Sequence, residues 1–382
     1  MEQHLHGDWP TGRWDLECVD IEPETHDVKT FHFRVRGREG GADPLCLHRP
    51  GQFVTLRLRH GDKLVPRSYT VSSSPSRPML MTLTIKRDPN GLVSRFMHDR
   101  LRVGDVLPIS GPSGSFDLVS VKPRKSVVML SGGSGVTPLM SMLRYIHDTR
   151  AGDFDVTFLH SARSPEDLIF RHELELIAAR SNAKLGFVCQ NGAEAGMDEG
   201  LLTRELLERH APGILASTVL TCGPAPYMAA VKAILGEMGF DMSHYHEESF
   251  GDPAERINPE GASPESLTPD FVKPDKGEAP APVPEDVPAE AAAPGGASEI
   301  HFTLTGKTVA YEPGQTILDV ASSAGIAIPT NCQMGLCGTC KQKCLDGVVN
   351  MDDTEGLEPG EEKLGFVLTC CGRPVGPVSI EL

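Results

Sequence analysis

Residues 331–340, NCQMGLCGTC, place three cysteines within ten positions of the chain. Cys332 and Cys337 enclose four residues, and Cys337 and Cys340 enclose two. A tetrathiolate zinc site usually combines two CxxC pairs, whereas this stretch contains one. The C-x4-C-x2-C spacing, with a distant fourth cysteine, is instead typical of a [2Fe–2S] cluster. The two intervening glycines favour this interpretation, because backbone N–H groups must come close to the bridging sulfides.

The fourth thiolate is expected downstream, where LTCCGRP (residues 368–374) contains both Cys370 and Cys371. Residues 299–382 resemble a plant-type ferredoxin, most clearly in HFTLTGKTVAYEPGQTILDVASSAGIAIPTNC, residues 301–332. The resemblance implies a β-grasp fold. It also favours Cys370, because the ferredoxin ligand follows a short apolar run such as the FVLTC of this chain. The implied metal ligands are Cys332, Cys337, Cys340 and Cys370.

The composition narrows the class of protein. The chain has 382 residues, enough for two or three domains, and a formal net charge of −16. This charge argues against binding to nucleic acid or to an anionic membrane surface. Ten cysteines are few for a disulfide scaffold, the N-terminal MEQHLHGDWP has no apolar export signal, and no run approaches eighteen apolar residues. We therefore expect a cytoplasmic protein without a membrane segment.

Residues 251–298 differ in composition from everything around them. They are rich in proline, alanine and glutamate and show no apolar periodicity. Such a stretch cannot bury enough apolar surface to fold by itself. We predict a flexible linker that tethers the ferredoxin domain to the preceding residues.

Residues 10–121 contain short runs of alternating residues separated by turn signals, which predicts an antiparallel β-barrel. Within them, RSYT begins the stretch RSYTVSSSP and has the residue types of a flavin site. The guanidinium of Arg67 would neutralise a pyrophosphate, and the ring of Tyr69 would lie against the isoalloxazine. The hydroxyl groups of Ser68 and Thr70 would bond the edge of that ring.

Two further motifs follow RSYT in order. GLVS opens a predicted helix whose N-terminus would bind phosphate, and GPSGSF (residues 111–116) is a glycine turn after a strand. The three motifs together resemble the flavin domain of the ferredoxin–NADP reductase superfamily. FMN-dependent relatives resembling phthalate dioxygenase reductase depart from GPxGxF, so the resemblance implies FAD. The residues that open the helix are Gly91, Leu92, Val93 and Ser94.

Residues 122–250 alternate between strand and helix patterns, which predicts an α/β domain with a parallel sheet. The strand KSVVML runs into SGGSGVTP (residues 131–138) and then a helix, a unit that cradles phosphate. The loop resembles the GGxGxTP of the nicotinamide domain in the same superfamily. The predicted dinucleotide-binding residues of this loop are Gly132, Gly133, Gly135, Thr137 and Pro138.

Two more motifs of this domain have roles that the resemblance implies. TCGPAPYM (residues 221–228) would place Cys222, Gly223 and Pro224 beside the nicotinamide, with Cys222 near the path of the hydride. HYHEESF (residues 244–250) would bring Glu248 and Phe250 to the flavin ring.

The basic groups after the strand FLHSAR bear on the choice between NADH and NADPH. A 2′-phosphate would require several of them, but only Arg163 and Arg171 are available, beside Glu166 and Asp167. The sequence therefore favours NADH, with Arg163 as a candidate contact. Nicotinamide releases two electrons as a hydride, the cluster accepts one, and a flavin can do both. The predicted electron order is therefore NADH, FAD, then [2Fe–2S].

Three longer stretches allow a narrower resemblance: HSARSPEDLIFRHELE, CGPAPYMAAV and GFDMSHYHEESFG. They are similar to reductase components of the glycine betaine monooxygenase type, which serve Rieske oxygenases that demethylate glycine betaine, stachydrine or carnitine. The resemblance implies such an oxygenase as the protein partner. An NADH reductase of hybrid-cluster protein, also similar in TCGPAPYM, and a redox sensor or adaptor without turnover are the alternatives.

Overall fold

The computed structural model describes residues 12–37, 44–150, 154–250, 258–271, 298–326, 328–330, 335, 338–351, 354, 356–357 and 360–382. The chain forms two compact units, residues 1–269 and residues 270–382. The predicted ligands Cys332 and Cys337 lie outside the described residues. Within the described residues, the structure contains no helix of sufficient length and apolar character to cross a membrane.

The first unit begins with an antiparallel barrel, as predicted. Alternate residues of the second strand, Phe31, Phe33 and Val35, are fully buried, which is why this segment forms a strand with one face in the core. The strands pair in the order β3–β6–β1–β2–β5, β4 pairs with the other edge of β3, and a bridge between Val71 and Leu83 closes the barrel. The elements are β1 (Gly12–Pro23), β2 (Val28–Val35), β3 (Phe53–His60), β4 (Lys63–Thr70), β5 (Met81–Lys86), α1 (Leu92–Asp99) and β6 (Val106–Ser113).

A parallel sheet follows, also as predicted. Its strands lie in the order β10–β9–β8–β7–β11–β12. The chain therefore reverses direction across the sheet between β7 and β11, and ligands of such sheets bind at the carboxyl ends of the strands at this point. The elements are α2 (Leu118–Val121), β7 (Ser126–Gly132), α3 (Val136–Thr149), β8 (Asp155–Ala162), α4 (Arg171–Arg180), β9 (Lys184–Cys189), β10 (Asp198–Glu199), α5 (Arg204–His210), β11 (Thr218–Cys222), α6 (Ala225–Glu237) and β12 (Tyr245–Glu248).

The structure differs from the predicted linker at residues 258–269. A 3-10 turn (Pro264–Ser266) and a two-residue strand, β13 (Thr268–Pro269), return to the barrel, where β13 pairs with β3. Leu267 is 5% exposed in the barrel core. Burial of a few apolar side chains, together with ladder pairing to an existing strand, orders this part despite its polar composition.

The second unit contains a mixed sheet with one helix, the predicted β-grasp arrangement. Its order is β15–β14–β18–β16–β17, and β14 and β18 are its parallel pair. Helix α7 begins with a capping box between Thr316 and Asp319, and it buries Ile317 and Val320 in the core. The elements are β14 (Glu299–Phe302), β15 (Lys307–Ala310), α7 (Ile317–Ser323), β16 (Lys341–Met351), β17 (Phe366–Leu368) and β18 (Gly372–Ile380).

Candidate active site

Strand β4 carries the four predicted flavin contacts. Arg67 is 7% exposed, and its Nη2 atom donates a 2.7 Å hydrogen bond to Oδ1 of Asn258 while Nη1 donates to the Pro66 carbonyl at 2.7 Å. The hydroxyl of Ser68 lies 2.9 Å from that of Thr55 on β3. The Tyr69 ring packs against the barrel core.

The hydroxyl of Thr70 is buried and has no hydrogen-bond partner among the described residues. Thr70 is 5% exposed and pairs with Phe53 across β3 and β4. A buried hydroxyl without a partner is uncommon, because desolvation is not offset. Such a donor fits the proposed contact with the edge of a flavin ring.

The N-terminus of α1 is suited to an anion. Gly91 precedes the helix, and no side chain caps the first turn. A side chain at Gly91 would overlap the hydroxyl of Ser94, which accepts a hydrogen bond from the Asp88 amide. Leu92 and Val93 are buried beside them. The helix therefore starts with uncapped N–H groups and little side-chain bulk, as phosphate binding requires.

The loop GPSGSF lies close to both the Phe53 ring of the barrel and the carboxylate of Glu248. A Cβ atom at Gly114 would lie 2.9 Å from the Phe53 ring and 4.0 Å from Oε1 of Glu248. Gly114 has a φ of 105°, which L side chains rarely adopt. Glycine thus lets the end of β6 pass between Phe53 and the carboxylate, and Phe53 is also the ladder partner of Thr70.

Cys222 and Glu248 lie side by side at the carboxyl ends of β11 and β12. Cys222 is fully buried, and burial, followed by the charges of Glu248 and Glu247, raises the pKa of its thiol. Burial also raises the pKa of Glu248 to about 8, and Oε2 of this side chain has no partner in the described residues. At neutral pH both groups are therefore protonated.

The glycine loop packs tightly on the turn after β11. Gly132 ends β7, Gly133 has a φ of 53°, and α3 begins directly after Gly135. A side chain at Gly135 would overlap the carbonyl of Cys222. The structure therefore brings SGGSGVTP and TCGPAPYM together at the reversal point of the sheet, where a dinucleotide is expected.

The remaining residues of the two motifs complete this loop. Thr137 is 3% exposed and donates to the Ser134 carbonyl at 3.1 Å, and Pro138 is buried in the first turn of α3. Pro224 precedes α6, and a Cβ atom at Gly223 would approach the Tyr227 ring at 2.8 Å.

Several buried polar residues of this region were not found from the sequence. Nδ1 of His160 lies 2.8 Å from the Ser131 hydroxyl, and burial lowers the pKa of His160 to about 4. The hydroxyl of Tyr227 is buried, and the ring of this residue lies against Gly132 and Gly223. No local motif marks these residues, because their neighbours come from other strands.

A second missed feature joins the flavin loop to helix α3. Nη1 of Arg144 donates to the Ser72 carbonyl at 2.6 Å, and the Ser141 hydroxyl donates to the Ser73 carbonyl at 2.6 Å. Arg144 is 8% exposed and also forms a paired hydrogen bond with the carboxylate of Glu173. The loop after RSYT is thereby fixed to the helix that follows SGGSGVTP.

The basic groups predicted near the nucleotide are engaged with acidic side chains. Arg163 lies 3.3 Å from Asp167 and 3.8 Å from Asp27, and Arg171 lies 2.7 Å from Glu194. A 2′-phosphate would have to compete with these carboxylates. The contact of Arg163 with the dinucleotide stays a prediction, as does that of Phe250 with the flavin; Phe250 is 36% exposed.

In the ferredoxin unit, the structure places two of the four predicted ligands together. The sulfur atoms of Cys340 and Cys370 lie 3.1 Å apart, and the Gly335 amide donates to the Cys370 sulfur at 3.3 Å. The thiol of Cys371 instead donates to the Leu368 carbonyl at 3.6 Å. Buried, paired thiol groups with a backbone N–H directed at sulfur fit a [2Fe–2S] cluster.

The fold and these groups define a pyridine-nucleotide-dependent oxidoreductase that carries a flavin domain and an iron–sulfur domain. Family models agree with each part: an oxidoreductase FAD-binding domain matches residues 15–118, an oxidoreductase NAD-binding domain residues 129–233, and a 2Fe-2S iron-sulfur cluster binding domain residues 302–375. FAD, NADH and a [2Fe–2S] cluster are thus its cofactors.

Several relatives match along nearly the whole chain. The glycine betaine monooxygenase reductase subunit of Chromohalobacter salexigens is 42% identical over 98% of this chain and 96% of its own length. The stachydrine N-demethylase reductase subunit of Rhizobium meliloti is 35% identical, with 96% of each chain covered. The chain belongs to the family of glycine betaine monooxygenase reductase subunits. It transfers electrons from NADH through FAD and [2Fe–2S] to an oxygenase component.

A solved structure supports the fold. Phthalate dioxygenase reductase, a modular protein for electron transfer from pyridine nucleotides to [2Fe-2S], superposes with a TM-score of 0.54. The alignment covers 97% of this chain and 98% of that chain at 23% identity. This likeness concerns the fold alone.

Proposed function

We propose that the oxygenase served by this chain is a Rieske-type enzyme that removes a methyl group from a quaternary amine such as glycine betaine or stachydrine. The observation that carries the proposal is the near full-length identity to reductase subunits named for these two reactions. We place the reaction in the cytoplasm, where NADH is available and thiol groups remain reduced.

Different residues of the flavin domain would hold different parts of FAD. Arg67 and the start of α1 would bind the FAD pyrophosphate, since both present N–H donors with positive charge or dipole. Thr70 and Ser68 would bond the ring edge, and Tyr69 would cover the ring. When bound, the flavin accepts a hydride and passes on single electrons.

The dinucleotide would lie where the glycine loop meets the Cys222 turn. Gly133, where an added Cβ would meet nothing within 4 Å, would leave the backbone open to the pyrophosphate, while Gly132 and Gly135 would let the loop pack against the turn after β11. Cys222 and the carboxyl of Glu248, both buried and protonated, would enclose the reacting rings without adding charge. Their uncharged state supports transfer of a hydride in a site that excludes water.

Reconstitution tests the proposal. The chain alone, with NADH and a dye, should reduce the dye but leave glycine betaine unchanged. With a Rieske-type glycine betaine oxygenase, it should support O2-dependent release of formaldehyde, coupled to NADH oxidation. The variant Cys340→Ser should keep NADH–dye activity and lose formaldehyde release, because its cluster site is incomplete.

Two outcomes would reject the proposed partner. Fast reduction of a hybrid-cluster protein, with no transfer to any Rieske oxygenase, would favour that alternative. Bound FAD and cluster without bleaching of the flavin by NADH would indicate a sensor rather than a reductase.

A further inference from the structure

Residues 258–269, here called the brace segment, are bonded to the flavin barrel at several points. Nδ1 of His60 lies 2.8 Å from the Ser266 hydroxyl, and β13 pairs with the second half of β3. Ser263 and Ser266 form a capping box that shapes the turn between them. Leu267 fills the barrel core. The brace segment therefore belongs to the flavin domain, although it follows the nicotinamide domain in the chain.

One end of the brace segment reaches the proposed pyrophosphate site. The side-chain oxygen of Asn258 accepts a 2.7 Å hydrogen bond from Nη2 of Arg67, across 191 positions of sequence. Arg67 is 7% exposed, so its guanidinium is held in a largely desolvated position. Asn258 is itself exposed, so the bond is open to solvent on the Asn258 side, and a hydrogen bond to a charged group there still favours one orientation of the guanidinium.

The middle of the brace segment touches the other proposed pyrophosphate-binding element. The turn Pro264–Ser266 packs on α1. Glu265 of this turn has a lowered pKa, caused first by its own backbone N–H and the Ser263 hydroxyl, and also by Arg95 and Arg100. The brace segment thus contacts both elements that would hold the phosphates, Arg67 and α1.

We propose that the brace segment forms part of the FAD site and that Asn258 is a positioning residue that orients Arg67 toward the pyrophosphate. This inference rests on the proposed role of Arg67. A neutral amide suits the task, because its oxygen accepts from the guanidinium without cancelling the positive charge that the phosphates require. A carboxylate at position 258 would keep the hydrogen bond but neutralise Arg67.

Titration of the flavin-free full chain with FAD tests the inference, with the quenching of flavin fluorescence as the readout. Asn258→Ala should weaken FAD binding by about tenfold, the effect of losing one hydrogen bond to a charged group. Asn258→Asp should weaken it further, although the side chain is nearly isosteric. Thermal unfolding of the flavin-free protein should change less for Asn258→Asp than for Asn258→Ala, because the carboxylate retains a bond to Arg67.

Control variants separate this inference from the role of Arg67. Glu260→Gln, on an exposed residue of the same segment, should bind FAD as the wild type does. If Arg67→Ala does not weaken FAD binding, the proposed role of Arg67 fails. If Arg67→Ala weakens binding and both Asn258 variants bind like the wild type, the positioning role alone is overturned. Tighter FAD binding by Asn258→Ala would also overturn it, since the segment would then compete with the cofactor.

Discussion

At the scale of single residues, Glu248 combines burial with the absence of a hydrogen-bond partner for Oε2 among the described residues. Its pKa is raised from 4.5 to about 8 by burial. Because the folded state holds the proton more tightly, the resulting stabilisation is fully present below pH 4.5 and is lost as pH rises through about 8.

We predict that the variant Glu248→Gln no longer loses stability as the pH rises through this range. The free energy of unfolding of the wild type should fall relative to that of the variant between pH 5 and 8, by on the order of a few kcal/mol. Denaturant titrations at several pH values measure this difference. Glu247→Gln is the control, since Glu247 is ion-paired with Lys232 at 2.6 Å. Equal pH slopes for the wild type and Glu248→Gln would contradict the prediction.

The two adjacent cysteines of the ferredoxin unit give a second residue-scale prediction. Cys370→Ser should lose iron and the visible absorption of the cluster, because its sulfur faces Cys340 and receives the Gly335 amide. Cys371→Ser should keep both, since the Cys371 thiol bonds a carbonyl. Iron analysis of the two variants shows which of the two cysteines is the fourth ligand of the cluster. Loss of iron from Cys371→Ser, with retention in Cys370→Ser, would show that Cys371 is the ligand and Cys370 is not.

At the scale of elements, the close contact between the glycine loop and β11 leaves no room for a side chain at position 135. We predict that Gly135→Ala costs about 1–3 kcal/mol of stability and raises the KM for NADH, because the methyl group would displace the Cys222 carbonyl. Gly236→Ala in α6 is the matched control. Apart from its chain neighbours and the backbone of its own helix, no atom lies within 4 Å of the added carbon, and this variant should be neutral or stabilising by up to about 1 kcal/mol.

Equal unfolding midpoints and equal KM values for the two glycine variants would show that the loop adapts. Chemical denaturation and steady-state kinetics with NADH and a dye are sufficient, because neither measurement depends on the oxygenase.

The elements also show what sequence could and could not predict. The barrel and the parallel sheet followed from periodicity and from motifs whose residues are neighbours in the chain, and the β-grasp unit followed from the resemblance to a plant-type ferredoxin. RSYT, SGGSGVTP and TCGPAPYM are such motifs. The bonds of Arg144 to Ser72 and of Asn258 to Arg67 join residues 72 and 191 positions apart, and no local pattern encodes them. The brace segment was assigned to the linker because its composition is polar, although Leu267 is buried in the barrel core.

At the scale of the whole molecule, the brace segment changes where the tether is expected to begin. Residues 272–297 keep the proline-, alanine- and glutamate-rich composition that predicts a linker. Residues 258–269 are bonded to the barrel through Ser266, β13 and Asn258. Among residues 258–297, a protease should therefore cut the native protein first after residue 271, since bonded backbone is protected from cleavage.

The larger fragment of that cleavage should retain the brace segment, bind FAD and reduce a dye with NADH. It should not support formaldehyde release with the oxygenase, because electrons leave the flavin through the [2Fe–2S] cluster of the other fragment. Mass spectrometry of the first fragments, followed by both activity assays, measures this outcome. A first cut between residues 258 and 269 with FAD retained would show that the brace segment is dispensable for cofactor binding. A fragment that still drives demethylation would show that the cluster is bypassed.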